Sequence, residues 1–294
     1  MKSKFKKLAA IAAALTMTAT LGGCAVTAKK EPDNEEIDIT EQIPDMGNEG
    51  GNVEAPPEIE TPPVTGEPTV PVTPSVPEAP PKVKTVSYIT ATASGVNLRS
   101  GAGTNFAVKG TAEKSTLYAN NGASGGWYKT GYKNGTAYLS AKYGKTVEMT
   151  ASEDERIEAV IAEGTKLLGT AYVWGAVRYH DGEGHFLKNF STGAFDCSSL
   201  MQYIFYMGAH VKLQVTTRTQ IYQGKTVTKS QLKRGDLMFF TNESRKNNTG
   251  VERVGHVALY LGDNWILHTA SDYAKIKQIS ATRWSYFIQG QRIF

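Results

Sequence analysis

The chain has 294 residues, 40% of them apolar and 20% charged, with a formal net charge of +4; this is enough for one to two domains, and outside its first quarter the composition is that of a soluble globular protein. The charge is unevenly placed: residues 31–80 hold thirteen Asp or Glu and no Lys or Arg, while residues 81–294 hold 26 Lys or Arg against 15 Asp or Glu, a local net charge of +11. No nucleic-acid-binding motif accompanies that basic part, so nucleic acid is excluded as a partner and the charge is read as attraction to anionic polymers and head groups of a cell envelope.

Lys2, Lys4, Lys6 and Lys7 precede an apolar run from Leu8 to about Leu21, too short to span a bilayer, which ends at Leu21-Gly22-Gly23-Cys24. Residues 1–24 therefore resemble a bacterial lipoprotein signal, and the resemblance implies that Cys24 becomes the lipidated first residue of a chain held on the outer face of the cell membrane. Cys24 and Cys197 are the two cysteines of the chain, which leaves Cys197 as a lone thiol in an oxidising compartment, where chemistry explains it better than packing. All twelve prolines lie between Pro32 and Pro81. Residues 25–84 read as a disordered, acidic, proline-stiffened linker; extended at about 3.1 Å per residue, its roughly 55 residues reach on the order of 170 Å.

From about Thr85 the pattern changes to short β-type runs. Ala93–Thr104 reads as a strand and a glycine-rich turn, Ser115–Ala119 and Trp127–Thr130 as strands, Asn134-Gly135 as the turn of a hairpin, and Tyr138-Leu139-Ser140 as the closing strand. Several short strands in so few residues suggest a small barrel. Val96-Asn97-Leu98-Arg99-Ser100-Gly101, Gly126-Trp127-Tyr128 and Tyr138-Leu139-Ser140-Ala141-Lys142-Tyr143 make residues 85–148 similar to a bacterial SH3-like domain, although Ala137-Tyr138 stands where relatives often carry Gly-Trp. Trp127 and Tyr128 fit a core role and a ligand-contact role equally.

Ser152-Glu153-Asp154-Glu155 has the form of a capping box, and Ile157, Val160, Ile161, Leu167 and Leu168 then fall on one helical face before Gly169. Leu200, Met201, Ile204 and Phe205 predict a second, buried helix that begins at or just after Cys197. A thiol there meets unpaired N–H groups and the positive end of the helix dipole, which favour the nucleophilic thiolate. Gly255–Gly262 and Trp265–His268 read as two strands joined at Asp263-Asn264, so His256 and His268 become neighbours across a hairpin. A thiolate beside an imidazolium attacks carbonyls, the imidazole then protonates the leaving amine, and a second group on its far nitrogen fixes its tautomer. Helices followed by strands predict an α+β domain over residues 152–294, with a helix packed on an antiparallel sheet.

Tyr172-Val173-Trp174-Gly175, Asp196-Cys197-Ser198, Arg218-Thr219 with Gln223, Gly235-Asp236-Leu237 with Phe239-Phe240, Gly255–Gly262 and His268 stand in an order and spacing that resembles the NlpC-type family of papain-like cell-wall cysteine peptidases. The resemblance implies a peptidoglycan DL-endopeptidase without cofactor or metal, acting on stem peptides as a monomer. It implies Cys197 as nucleophile, His256 as general base and acid, His268 as the orienting member, and Tyr172 with the Cys197 N–H at the oxyanion. Asp196, Ser198, Trp174 and Arg218 are implied as substrate-binding residues, and the bond cut in that family is γ-D-glutamyl to diamino acid. Ser199 replaces a common glycine and is expected to narrow the first turn of the helix against substrate. The loop from Arg178 to Phe195, carrying Asp181, Glu183, His180 and His185, looks longer than usual and is expected to line the cleft, and the basic loop Thr241–Arg253 is a second such candidate.

Three other readings compete. A zinc hydrolase built on His180, His185, His210, His256 and His268 lacks usual ligand spacing. A wall-binding lipoprotein without catalysis would leave the full Cys-His-His set unexplained. Acyl transfer, or hydrolysis of a different γ-glutamyl polymer, would use the same nucleophile.

Overall fold

The computed structural model describes residues 83–294. Cys24, the predicted leader and the proline-rich stretch as far as residue 82 lie outside the described residues. The first eight strands are β1 (Thr85–Ala91), β2 (Val96–Arg99), β3 (Val108–Ala112), β4 (Thr116–Ala119), β5 (Ala123–Ser124), β6 (Trp127–Tyr132), β7 (Gly135–Ser140) and β8 (Gly144–Thr150). There follow α1 (Glu155–Lys166), β9 (Ala171–Tyr172), β10 (Ala194–Phe195), α2 (Cys197–Ala209), α3 (Thr217–Gln220), β11 (Lys225–Val227), β12 (Leu237–Phe240), β13 (His256–Gly262), β14 (Trp265–Ala270), β15 (Tyr273–Gln278), α4 (Ala281–Ser285) and β16 (Phe287–Arg292). Among the described residues no helix is long and apolar enough to cross a membrane.

The early strands divide between two sheets. One has the order β3-β2-β7-β6-β5, while β4, β1 and β8 continue a larger sheet of order β11-β16-β12-β13-β14-β15-β4-β1-β8. Between β6 and β7, Tyr132 pairs with Gly135, so the residues with positive φ are Lys133 (50°) and Asn134 (54°) rather than the predicted Asn134-Gly135. The one-residue shift has a tertiary cause: the N–H groups of Lys133 and Asn134 donate at 2.8 Å to Leu168 O and Lys166 O at the end of α1, carbonyls that a helix leaves unsatisfied. Trp127 lines a cleft of about 360 Å³ with Asn97, Arg99 and Tyr143, while Tyr128 packs on the core.

The predicted start of α1 is also displaced. Asp154 caps it, accepting the Arg156 N–H at 2.9 Å, whereas the Ser152 N–H donates to Glu158 Oε1 and the Ser152 Oγ accepts from Asp154. The Ser152–Glu155 box does not form because Ser152 is occupied on both sides. Arg234 then ties three segments together, donating to both Glu158 carboxylate oxygens (2.6 and 2.8 Å), to Tyr88 Oη and to Leu261 O.

Helix α2 lies against α1, β13 and β14. Leu200, Met201, Ile204 and Phe205 are fully buried, as their spacing predicts, and each such side chain contributes about 1.5–3 kcal/mol of apolar burial. Gly208 permits the close crossing of the two helices, since a Cβ there would sit 2.5 Å from the Val160 backbone. The α+β expectation of helices on an antiparallel sheet matches this arrangement: β12 pairs with β13, β13 with β14 and β14 with β15, all antiparallel.

Candidate active site

Asp196 creates the helix that carries the thiol. Its Oδ1 accepts the Ser199 N–H (2.8 Å), its own N–H donates to Ser199 Oγ (2.9 Å), and Cys197 becomes the first residue of α2. Ser199 is fully buried, so its hydroxyl closes a capping box inside the first turn and does not narrow the surface, contrary to expectation. Asp196 Oδ2 accepts from Gly175 N (3.2 Å) and from Arg178 Nη1 (2.8 Å), and Arg178 Nη2 donates to Ser198 Oγ (3.1 Å). The remaining N–H groups of Arg178 reach Val215 O and Ala176 O at 2.6 Å. Asp196 and Ser198, 5% and 3% exposed, therefore direct their polar atoms into a network centred on Arg178.

Register and turn chemistry bring the two histidines together. Asp263 and Asn264 both have positive φ (47° and 66°) and reverse the chain as predicted. Extending the Leu259↔Leu267 register places Ala270 opposite His256 and His268 on the diagonal, within reach of a long side chain. His256 Nε2 lies 3.2 Å from His268 Nδ1, with the rings edge-on at 83°. The Cys197 sulfur receives the backbone N–H of Val257, the residue after His256, which sets the start of α2 against the start of β13.

Cys197, His256 and His268 are 9%, 9% and 5% exposed. Burial, then the Asp196 carboxylate, pushes the Cys197 thiol up to about 11, against the N–H groups of Val257 and Ser198 and the charge of Arg178. Burial, then His268 and Arg283, holds His256 well below 6.5. Burial, then Arg283, Lys275 and Lys277, brings His268 down to about 3. Both directions favour the neutral thiol and the neutral imidazole, and so oppose the thiolate and imidazolium that the helix terminus favours. Removal of water opposes charge more strongly here than the helix terminus favours it.

The same burial sets a stability expectation. Unfolded His268 takes its proton near 6.5 and folded His268 near 3, so the unfolded state binds more protons between those values and stability rises with pH there. Stability is expected to be complete above about 6.5 and to fall as pH drops toward 3. Denaturation midpoints measured between pH 7 and 4 should decline, less steeply in His268→Gln; a midpoint flat across that range contradicts the burial argument.

Tyr172 lies in β9, paired with Phe195 immediately before the Asp196 cap. Trp174 is 71% exposed beside Gly175. Arg218, on α3, is paired with Glu252 of the Thr241–Arg253 loop at 2.8 Å, and Glu252 also holds Arg245. Gln220 of the same helix donates to Ser198 O at 3.0 Å. The long loop after Arg178 is packed onto α2 by an aromatic cluster, in which the ring of Tyr179 meets Phe186 and Phe190 of the loop and Tyr203 and Tyr206 of the helix at centroid distances of 4.9–5.3 Å. At its exposed tip Asp181 accepts the N–H groups of Glu183, Gly184 and His185. Two roles escaped the sequence reading: Arg178, placed there only as part of the cleft-lining loop, is the partner of Asp196, and Arg283 of α4 carries a charge that acts on Cys197, His256 and His268. Neither carries a motif, since each reaches the site by a tertiary contact.

Comparison with known proteins matches residues 169–292 to the NlpC/P60 family. The peptidoglycan DL-endopeptidase CwlO of Bacillus licheniformis is 30% identical over 145 residues, 48% of this chain and 29% of that protein. A probable endopeptidase NlpC homolog of Haemophilus influenzae is 32% identical over 133 residues, 44% of this chain and 63% of that one. The gamma-DL-glutamyl hydrolase of Bacillus subtilis is 27% identical over 166 residues, 56% and 36% of the respective chains. The chain therefore spans less than two thirds of the length of each of these relatives.

Proposed function

We propose, from the match of residues 169–292 to the NlpC/P60 family, that the chain is a peptidoglycan hydrolase, a cysteine endopeptidase that cuts stem peptides at the γ-D-glutamyl to diamino acid bond. The observation that carries the reading is the conjunction of Cys197 at the first position of α2 with the His256–His268 contact of 3.2 Å. For His256 to act as the base through Nδ1, its Nε2 carries the proton and donates it to His268 Nδ1 across this contact.

The proposed sequence starts from the neutral pair. His256 Nδ1 takes the thiol proton as sulfur attacks the γ-carbonyl, and the oxyanion is held by the Cys197 N–H and Tyr172. His256 returns that proton to the leaving amine as the C–N bond breaks, giving a thioester. Water then adds to the thioester with His256 as base, and the proton passes back to sulfur as the C–S bond breaks. Trp174 and Arg218 stand on the two segments that hydrogen-bond the Asp196–Ser198 turn, and they are assigned to the stem peptide. Asp196 and Ser198 act there through Arg178.

Lipidation at Cys24, a location on the outer face of the cell membrane, the SH3-like reading of residues 85–148 and a monomeric state belong to the same proposal. Hydrolysis of another γ-glutamyl polymer is the second reading, favoured by the name of the Bacillus subtilis relative. Purified muropeptides incubated with the full chain and read by mass spectrometry are expected to yield two fragments whose masses sum to substrate plus one water. Products bearing an amine or alcohol instead of water would assign acyl transfer, and intact muropeptides would overturn the proposal.

A further inference from the structure

Helix α4 sets a guanidinium on the ring of Phe240, the neighbour of His256. Ser280 caps the helix by accepting the Arg283 N–H at 3.1 Å, and the half-buried Arg283 side chain runs back so that its Cζ lies 5.6 Å from the centroid of the Phe240 ring. Phe240 is 1% exposed, pairs with His256 across β12 and β13, and its ring centroid is 6.1 Å from that of His256. Arg283 is therefore held on one side by an aromatic face, in the cation–π arrangement that favours arginine. Among the described residues it has no carboxylate within ion-pair distance and its guanidinium donates no hydrogen bond. This contrasts with Arg178, Arg218, Arg234, Arg245 and Arg292, each of which meets a carboxylate.

The surroundings sharpen the contrast. The charged groups that act on His256 and His268 are Arg283, Lys275 and Lys277, with no carboxylate among them. Lys275, opposite His268 in the ladder, is already matched by Asp272 at 2.6 Å and Glu113 at 3.6 Å. Asp196, the residue before Cys197, is matched by Arg178. A guanidinium drawn partly out of water without a counter-charge is unfavourable on its own, and its fork is shaped to take a carboxylate by two parallel N–H bonds.

We propose that Arg283 is a specificity-determining residue that receives the free carboxylate next to the scissile amide, which in a γ-glutamyl linkage is the α-carboxylate of the glutamyl residue. The inference rests on the peptidase reading above and adds a chemical requirement to it: the site selects γ-glutamyl peptides whose α-carboxylate is free over those in which it is amidated. Amidation keeps the shape and removes the charge, so it isolates the contact.

The test compares two synthetic stem peptides, identical except that one carries D-isoglutamate and the other D-isoglutamine, on the full-length wild type, Arg283→Gln and Arg283→Lys. The wild type is expected to favour the free carboxylate by at least about tenfold in kcat/KM, mainly through KM because the contact forms on binding. Arg283→Gln should lose that preference, and Arg283→Lys should keep part of it, since the charge remains without the fork. Equal rates on both peptides in the wild type overturn the inference. So does an undiminished preference in Arg283→Gln. The rate of Cys197 alkylation by iodoacetamide, followed against pH, separates a substrate contact from tuning of the sulfur: a shifted profile in Arg283→Gln with an unchanged peptide preference also overturns it. Hydrolysis of neither peptide by the wild type overturns the peptidase reading itself.

Discussion

Replacing Cys197 with alanine is expected to lower stem-peptide hydrolysis by at least about 10⁴-fold, to the level left by binding and oxyanion contacts alone. The substitution removes one sulfur from a side chain already 9% exposed. It leaves untouched the Asp196–Ser199 box that starts α2 and the apolar face of Leu200, Met201, Ile204 and Phe205 that anchors it. Stability should therefore change by about 1 kcal/mol or less, and the inactive protein should still bind muropeptides. Turnover is read by product mass spectrometry and folding by the thermal midpoint of the same preparation. A Cys197→Ala chain that hydrolyses at the wild-type rate sinks the nucleophile assignment, and with it the thioester.

Substitution of the two histidines should give unequal losses. His256→Gln removes the group that both accepts the thiol proton and delivers it to the leaving amine, and a fall of about 10³–10⁴-fold in kcat/KM is expected. His268→Gln removes the partner of His256 Nε2. Glutamine keeps an acceptor of similar reach, so the loss is expected to be about 10- to 100-fold. Because His268 acts through His256, the double variant should be no slower than His256→Gln, the non-additivity expected of groups that work as a unit. Equal damage from both single changes, with circular dichroism unaltered, would show that the third member has been misassigned.

How much of this was legible in the sequence depends on how far each cause lies from its effect. The start of α2 at Cys197 and the turn at Asp263-Asn264 follow from residues within a few positions of the event, and both were readable. The turn between β6 and β7 was placed one residue late because its register answers to the carbonyls of Lys166 and Leu168 in α1. The cap of α1 moved from Ser152 to Asp154 because Glu158 takes the Ser152 N–H. Ser199 was given a surface role because its burial depends on how α2 is capped, which spacing alone does not report. The direction in which burial shifts these groups was hidden for the same reason: a helix terminus is visible in sequence, while the loss of water around Cys197, His256 and His268 is a property of the packed body. Arg178 and Arg283 arrive through a loop and a short helix distant in the chain, and no periodicity marks them.

The ladder between β4 and β15, with Leu117 facing Ile276 and Thr116 facing Lys277, has a consequence for solubility. A strand without a neighbour is a template for a foreign chain. β9 screens the Tyr273 end of β15, and β4 screens the Ile276 end. A fragment beginning at Ser152 would lose that second guard and present bare amides and carbonyls beside Ile276, a side chain with no exposure in the intact body. In the intact chain β4 covers that edge of β15, the strand next to the one that carries His268.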